Sequence, residues 1–173
     1  MRKFIYMLAA AVLLPVTAMA NTITATDTIT STGTDSVSYT YFTQDAAGTT
    51  SLETFTDYFD SVLYLFSDDG SLDTSDIIAS NDDGGTSSAY AYYNSYLSLL
   101  LNAGNYVVAV SDFSFTDDEA VSGINSGYNA SGSYSLTITS TANVSTSVPE
   151  PSTMILLGLG LLGLGAARRR SAK

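Results

Sequence analysis

The residues of this chain best able to do chemistry are carboxylates set beside glycines. Asp68-Asp69-Gly70, Asp73, Asp76 and Asn81-Asp82-Asp83-Gly84-Gly85 flank an apolar run, and Asp60 stands just before it. Calcium takes six to eight oxygen ligands, and acids in flexible glycine-rich loops supply them. If the chain holds a cation, Asp60, Asp82 and Asp83 are the expected ligands. No EF-hand spacing or nonapeptide calcium repeat is present. Asp, Asn and Gly also build turns on their own account, so a purely structural role stands beside the metal reading. A second group is Tyr90, Tyr92 and Tyr93, with Tyr96 close behind. Exposed tyrosines can stack on sugar rings; they are equally at home as half-buried strand residues. Paired acids could in principle cleave glycosides, but acids are so numerous that a pair carries little information. Zinc or copper sites lack their usual ligands, and a serine nucleophile would have neither a His nor a Lys as base.

The cations explain that shortage. All six Lys and Arg are Arg2, Lys3, Arg168, Arg169, Arg170 and Lys173, and the segment 21–148 has no Lys, Arg, His, Cys or Trp. Of seventeen acids only Glu150 lies outside it, leaving sixteen and a formal charge of −16. Such a segment cannot neutralise phosphates, which excludes nucleic acid, and anionic headgroups repel it. No internal salt bridge can form in it, so each carboxylate must meet water, a hydrogen-bond donor or a bound cation. An enzyme is not expected.

Both ends read as processing signals. Arg2 and Lys3 precede an apolar stretch over residues 4–16 and the small-residue site Ala18-Met19-Ala20. That is the layout of a secretory signal peptide, 1–20, cut after Ala20 by signal peptidase. At the other end come Val148-Pro149-Glu150-Pro151, an apolar run over 154–167, and three arginines. The run is about 14 residues, or about 21 Å of helix, where a span needs roughly 20 residues. Arginines after it hold that end on the cytoplasmic side, and a helix this short suits transient insertion better than permanent anchoring.

This tail resembles the PEP-CTERM sorting signal found in many Gram-negative bacteria that make extracellular polysaccharide. The residues carrying the likeness are Pro149, Glu150 and Pro151, the run 154–167, and Arg168, Arg169 and Arg170. The resemblance implies recognition by an exosortase, cleavage near the Pro-Glu-Pro, and a product at the cell surface or in an exopolysaccharide or biofilm matrix.

The elements that must position the candidate residues read as all-β. Residues 22–30 suggest an edge strand, and Val37, Tyr39 and Tyr41 alternate with Ser38, Thr40 and Phe42. Val62-Leu63-Tyr64-Leu65-Phe66 is apolar on both faces, as a central buried strand would be. Residues 96–101 and 106–110, joined by Asn102-Ala103-Gly104-Asn105, predict a hairpin. Residues 133–139 alternate cleanly and are expected to close the domain. Loops are expected at 45–50, 67–76, 81–88 and 114–131, with no helix of note in the body. The organisation expected is a signal peptide at 1–20, a β-sandwich domain at 21–140, a Ser/Thr linker at 141–148 and the sorting signal at 149–173. The fold class is an antiparallel, jelly-roll-like β-sandwich flanked by a signal helix and a short membrane helix.

The stretches YFDSVLYLFSDDGS, IIASNDDGG, YLSLLLNAGNYVVAVSDF and SGSYSLTIT, within about 37–139, are similar to bacterial pre-peptidase C-terminal domains. That resemblance implies a non-catalytic accessory or adhesive sandwich, of a kind of which some members bind calcium or polymers. Two roles arise as expectations. One is a structural or adhesive matrix protein. The other is a carbohydrate-binding module using the Tyr90–Tyr96 region, with calcium as an accessory ion.

Overall fold

A computed structural model describes residues 20–56, 58–85, 93–127 and 130–146. Among them are eight strands: β1 (Ala20–Ile29), β2 (Ser38–Gln44), β3 (Gly48–Thr56), β4 (Ser61–Ser67), β5 (Ile77–Asn81), β6 (Tyr96–Leu101), β7 (Gly104–Asp112) and β8 (Gly132–Thr146). All their pairings are antiparallel. The strands form two layers. One is β1-β8-β3-β6; the other is β5-β4-β7-β2. β8 joins them, pairing with β1 and β3 along its first part and with β2 through Val144, Ser145 and Thr146. The all-β antiparallel sandwich expected from the sequence is therefore the fold.

Period-two alternation builds the core between the layers. Ile23 and Ile29 of β1, Leu52 of β3, Leu63 and Leu65 of β4, Val108 and Val110 of β7, and Leu136 and Ile138 of β8 all point into it. The odd-numbered residues of β1 face inward, so its even-numbered threonines face out. Thr22, Thr24, Thr26 and Thr28 stand opposite Thr139, Thr137, Ser135 and Ser133 of β8.

β4 is buried on both faces, as its apolar run predicted. Val62, Tyr64 and Phe66 project to the other side, where with Val37, Val107, Ala109, Phe115 and Ala120 they form a second cluster. That cluster is roofed by α1 (Asp117–Ser122), inside the stretch expected to be only loop. The helix starts because Thr116 and Glu119 form a capping box, and it ends at Gly123 in the left-handed region. Just beyond the helix, Asn125 fastens the chain to β7. Its side-chain amide donates to Ser111 Oγ at 2.9 Å and to the Asp112 carbonyl at 2.8 Å.

Three further expectations are corrected. The 96–101 and 106–110 segments are not a hairpin: β6 pairs with β3, and β7 lies between β2 and β4. β7 is apolar on both faces and needs a neighbour on each side, whereas β6 is half-buried at alternate positions and suits an edge. The short link between them crosses from layer to layer. Residues 141–146 are not linker but the end of β8, held because Val144 is fully buried. Residues 48–50 belong to β3, not to a loop. Gly48 passes so near the β8 bend that a Cβ there would sit 2.8 Å from Thr141 Oγ1 and 2.9 Å from the Ala142 nitrogen. Behind it Gln44, Thr50 and Ser140 share a buried network in which Gln44 Oε1 accepts from both hydroxyls, at 2.5 and 2.9 Å.

Candidate functional site

β4 begins where β7 ends, and this end of the sandwich gathers carboxylates. Asp112, almost fully buried, accepts the Asp60 N–H at 3.1 Å and the Ala130 N–H at 2.5 Å. The Phe113 N–H in turn donates to the Asp60 carbonyl at 2.8 Å. Asp60 Oδ1 is buried without a hydrogen-bond partner. Burial pushes the Asp60 carboxyl up to about 6, and the charges of Asp83, Asp112 and Asp82 add to the rise. Burial also raises Asp112, outweighing its backbone hydrogen bonds. Asp60, Asp82 and Asp83 therefore share one electrostatic neighbourhood. No three carboxylates among the described residues converge as a set of metal ligands, however.

The other acids do local work. Asp68 accepts the Gly70 N–H, Asp69 the Ser71 N–H, and Asp73 the Ser75 N–H at 2.7 Å. Asp73 and Asp76 cap a single 3₁₀ turn reciprocally. Asn81 Oδ1 accepts the N–H groups of Asp82 and Asp83, and its amide donates to the Tyr96 carbonyl at 2.7 Å. These are turn-building roles. Glu119 is held well below the usual carboxylate range, at about 2: burial works against ionisation, but donors on Ser126 and Thr116 outweigh it.

Beside this end lies a groove the sequence did not reveal. A cleft of about 300 Å³ is floored by Tyr64 and Phe115 and rimmed by Ser80, Asp82 and Phe113. A depression of about 580 Å³ continues past the same two rings toward Thr74, Asp117 and Asp118. Tyr64 and Phe115 meet edge to face, ring centroids 5.2 Å apart, and the Tyr64 hydroxyl donates to the Phe115 carbonyl at 3.2 Å. Burial, with a further push from Asp117, raises that phenol to about 12, so it stays protonated. Phe113 is 54 % exposed at the rim. The groove offers aromatic surface, hydroxyls and carboxylates, and among the described residues no cation. It suits a neutral polyhydroxylated ligand better than an anionic one. Phe113-Ser114-Phe115, two aromatics just past the end of β7, is the sequence signal that could have found it.

Tyr93 is 40 % exposed, and its carbonyl accepts the Ser61 hydroxyl at 3.0 Å. Tyr90 and Tyr92 lie outside the described residues, as do Ala18, Pro149, Glu150, Pro151, the run 154–167, and Arg168, Arg169 and Arg170. Ala20 opens β1. Among the described residues no helix is long and apolar enough to cross a membrane.

Comparison with known proteins bears mainly on the tail. Residues 147–170 match the PEP-CTERM protein-sorting motif. The chain is thus marked for export and for processing by an exosortase. The body is similar to a 1.0 Å crystal structure of the pre-peptidase C-terminal domain of a collagenase from Bacillus anthracis. That likeness has 14 % sequence identity and a TM-score of 0.44, over 68 % of this chain and 86 % of that one. No curated protein matches the chain.

Proposed function

We propose that this protein is a non-catalytic structural or adhesive component of an extracellular polysaccharide or biofilm matrix. Signal peptidase removes residues 1–20, the 154–167 run holds the chain in the membrane for a time, and an exosortase then cuts near Pro149-Glu150-Pro151. The observation that carries this reading is the sorting motif joined to a body in which every cation of the chain is missing between residues 21 and 148. Processing at both ends leaves a purely anionic β-sandwich outside the cell, soluble and self-repelling, with no group to hold phosphate or anionic lipid. Mass spectrometry of the product from cells with and without the exosortase tests it. The expected mature form starts at Asn21, lacks Arg168, Arg169 and Arg170, and partitions with the matrix. A matrix form that keeps its arginines in exosortase-competent cells overturns it.

A second reading, a carbohydrate-binding module, is favoured by the groove between Phe113, Asp82 and the Tyr64–Phe115 pair. Binding of neutral oligosaccharide that falls with Phe113→Ala supports it, and indifference to that change disposes of it.

A further inference from the structure

We propose that the outer face of the β1–β8 pair is a docking surface for a neutral, hydroxyl-dense polymer, a glycan chain lying against the strands. The inference begins with the sequence T-I-T-A-T-D-T-I of residues 22–29. In a strand this spacing sends every threonine to one face. Here that face is solvent, because Ile23 and Ile29 take the core side. All four threonines are exposed, and each is in register with a Ser or Thr of β8. The result is a grid of eight hydroxyls. Its pitch is about 4.8 Å between strands and about 6.8 Å along them.

The outer rows are bonded across the strands: Thr28 Oγ1 to Ser133 Oγ at 2.9 Å, and Thr22 Oγ1 to Thr139 Oγ1 at 3.4 Å. In the middle rows, Thr24 with Thr137 and Thr26 with Ser135, no hydroxyl is bonded to another protein group among the described residues. Each of those hydroxyls can both donate and accept, as sugar hydroxyls do. β-branching restricts threonine at χ1, so the grid is largely ordered before anything binds.

Charge selects the occupant. The body carries sixteen acids, yet none projects from this face of β1 or β8. Asp27, the one acid on β1, is exposed but lies on the opposite register, where it accepts a hydrogen bond from the Ser38 hydroxyl. Glu53 of β3, in register with Thr137, stands at the border of the grid. A neutral polymer meets no repulsion on this face and loses no ion hydration there. An anionic polymer meets Glu53 and the field of the whole body. Single hydroxyl contacts exchange with water at little net gain, so binding depends on many rows acting together along a repeating chain.

The proposal rests on the matrix reading only for the presence of such a polymer. The test uses the mature protein purified from the matrix of exosortase-competent cells. Co-sedimentation is measured with insoluble neutral glucan, with the host's own purified matrix polysaccharide, and with polygalacturonate as the anionic control. Binding is expected to the neutral glucan and the host polysaccharide, and not to the polygalacturonate. Thr24→Val with Thr26→Val, which keeps shape and strand propensity, is expected to weaken it at least about tenfold at an unchanged melting temperature. Thr24→Lys, which props the polymer off the grid, is expected to do the same. Undiminished binding by both variants overturns the face while leaving a matrix role on another surface. Failure of the wild type to bind glucan or host polysaccharide also overturns it, and processing and matrix partition then judge the broader reading separately. Ice-crystal shaping without glucan binding overturns the choice of a glycan.

Discussion

The two outer faces of this sandwich reach opposite ends. On the β1–β8 side the outward residues are hydroxyls, and nothing covers them among the described residues. On the β4–β7 side they are Val62, Tyr64, Phe66, Val107 and Ala109, and the chain folds a helix over them. An exposed apolar face on a secreted chain invites association. The second face is therefore closed by α1 and the Phe115 ring, and its acids crowd the edges of that cover. The difference shows how one domain covers an apolar outer face and leaves a hydroxyl-bearing one open.

The largest test of this contrast is Phe66→Ala. Phe66 is fully buried beneath the cover, and its loss is expected to cost about 3–5 kcal/mol by urea unfolding. A cost near that of a surface change would mean the cover is not part of the cooperative fold. Next comes Asn125→Ala, which removes the cover's side-chain bonds to Ser111 and Asp112, although the Ser111 hydroxyl keeps its bond to the Ser36 carbonyl. A loss of about 2 kcal/mol is expected, with faster amide exchange in 116–126 than in β1 and β8.

Asp60→Asn has the opposite sign. The folded-state carboxyl titrates at about 6, above its ordinary 3.8, so its stabilising contribution is complete below 3.8 and lost as pH rises through 6. The Asn variant is expected to be more stable at pH 7 by about 1 kcal/mol, after allowance for solvent screening of a partly exposed group. Its stability between pH 4 and 6 should also be flatter, as melting across that range would show. An Asn variant less stable at pH 7 would mean that the charged form of Asp60 is held by a cation. The smallest effect belongs to the other face: Thr24→Val should change stability by no more than about 0.5 kcal/mol.

Much of the fold was legible where side-chain chemistry matched burial. β4 and β7 announced themselves as apolar runs, and β1 and the first half of β8 as alternation. β3 did not, because its inward residues include Thr50, Thr54 and Thr56, whose buried hydroxyls read as polar. The end of β8 was hidden likewise by Ser140 and Ala142, small residues at the bend. The β6–β7 link looked like a hairpin because a short turn can also cross between layers, and only the two-sided burial of β7 decides. The groove went unread, because Phe113 and Phe115 do not by themselves say what they face. Ser80 and Asp82 are about thirty residues from Phe113, and β4, lying between β5 and β7, unites them. The sorting tail was the reverse, fully legible as a linear address that needs no fold.

β8 has a consequence for the order of events. It is the last strand of the body, it zips against the first, and its ladders with β2 and β3 join the two layers, which a bridge between Gly84 and Ser95 also ties at their other edge. A chain emerging from the translocon N-terminus first thus leaves its sandwich open until Thr146 is out. The sorting motif begins at the next residue, 147. The last residue of the fold and the first of the sorting motif are thus neighbours in the chain, and the motif follows the body without a spacer.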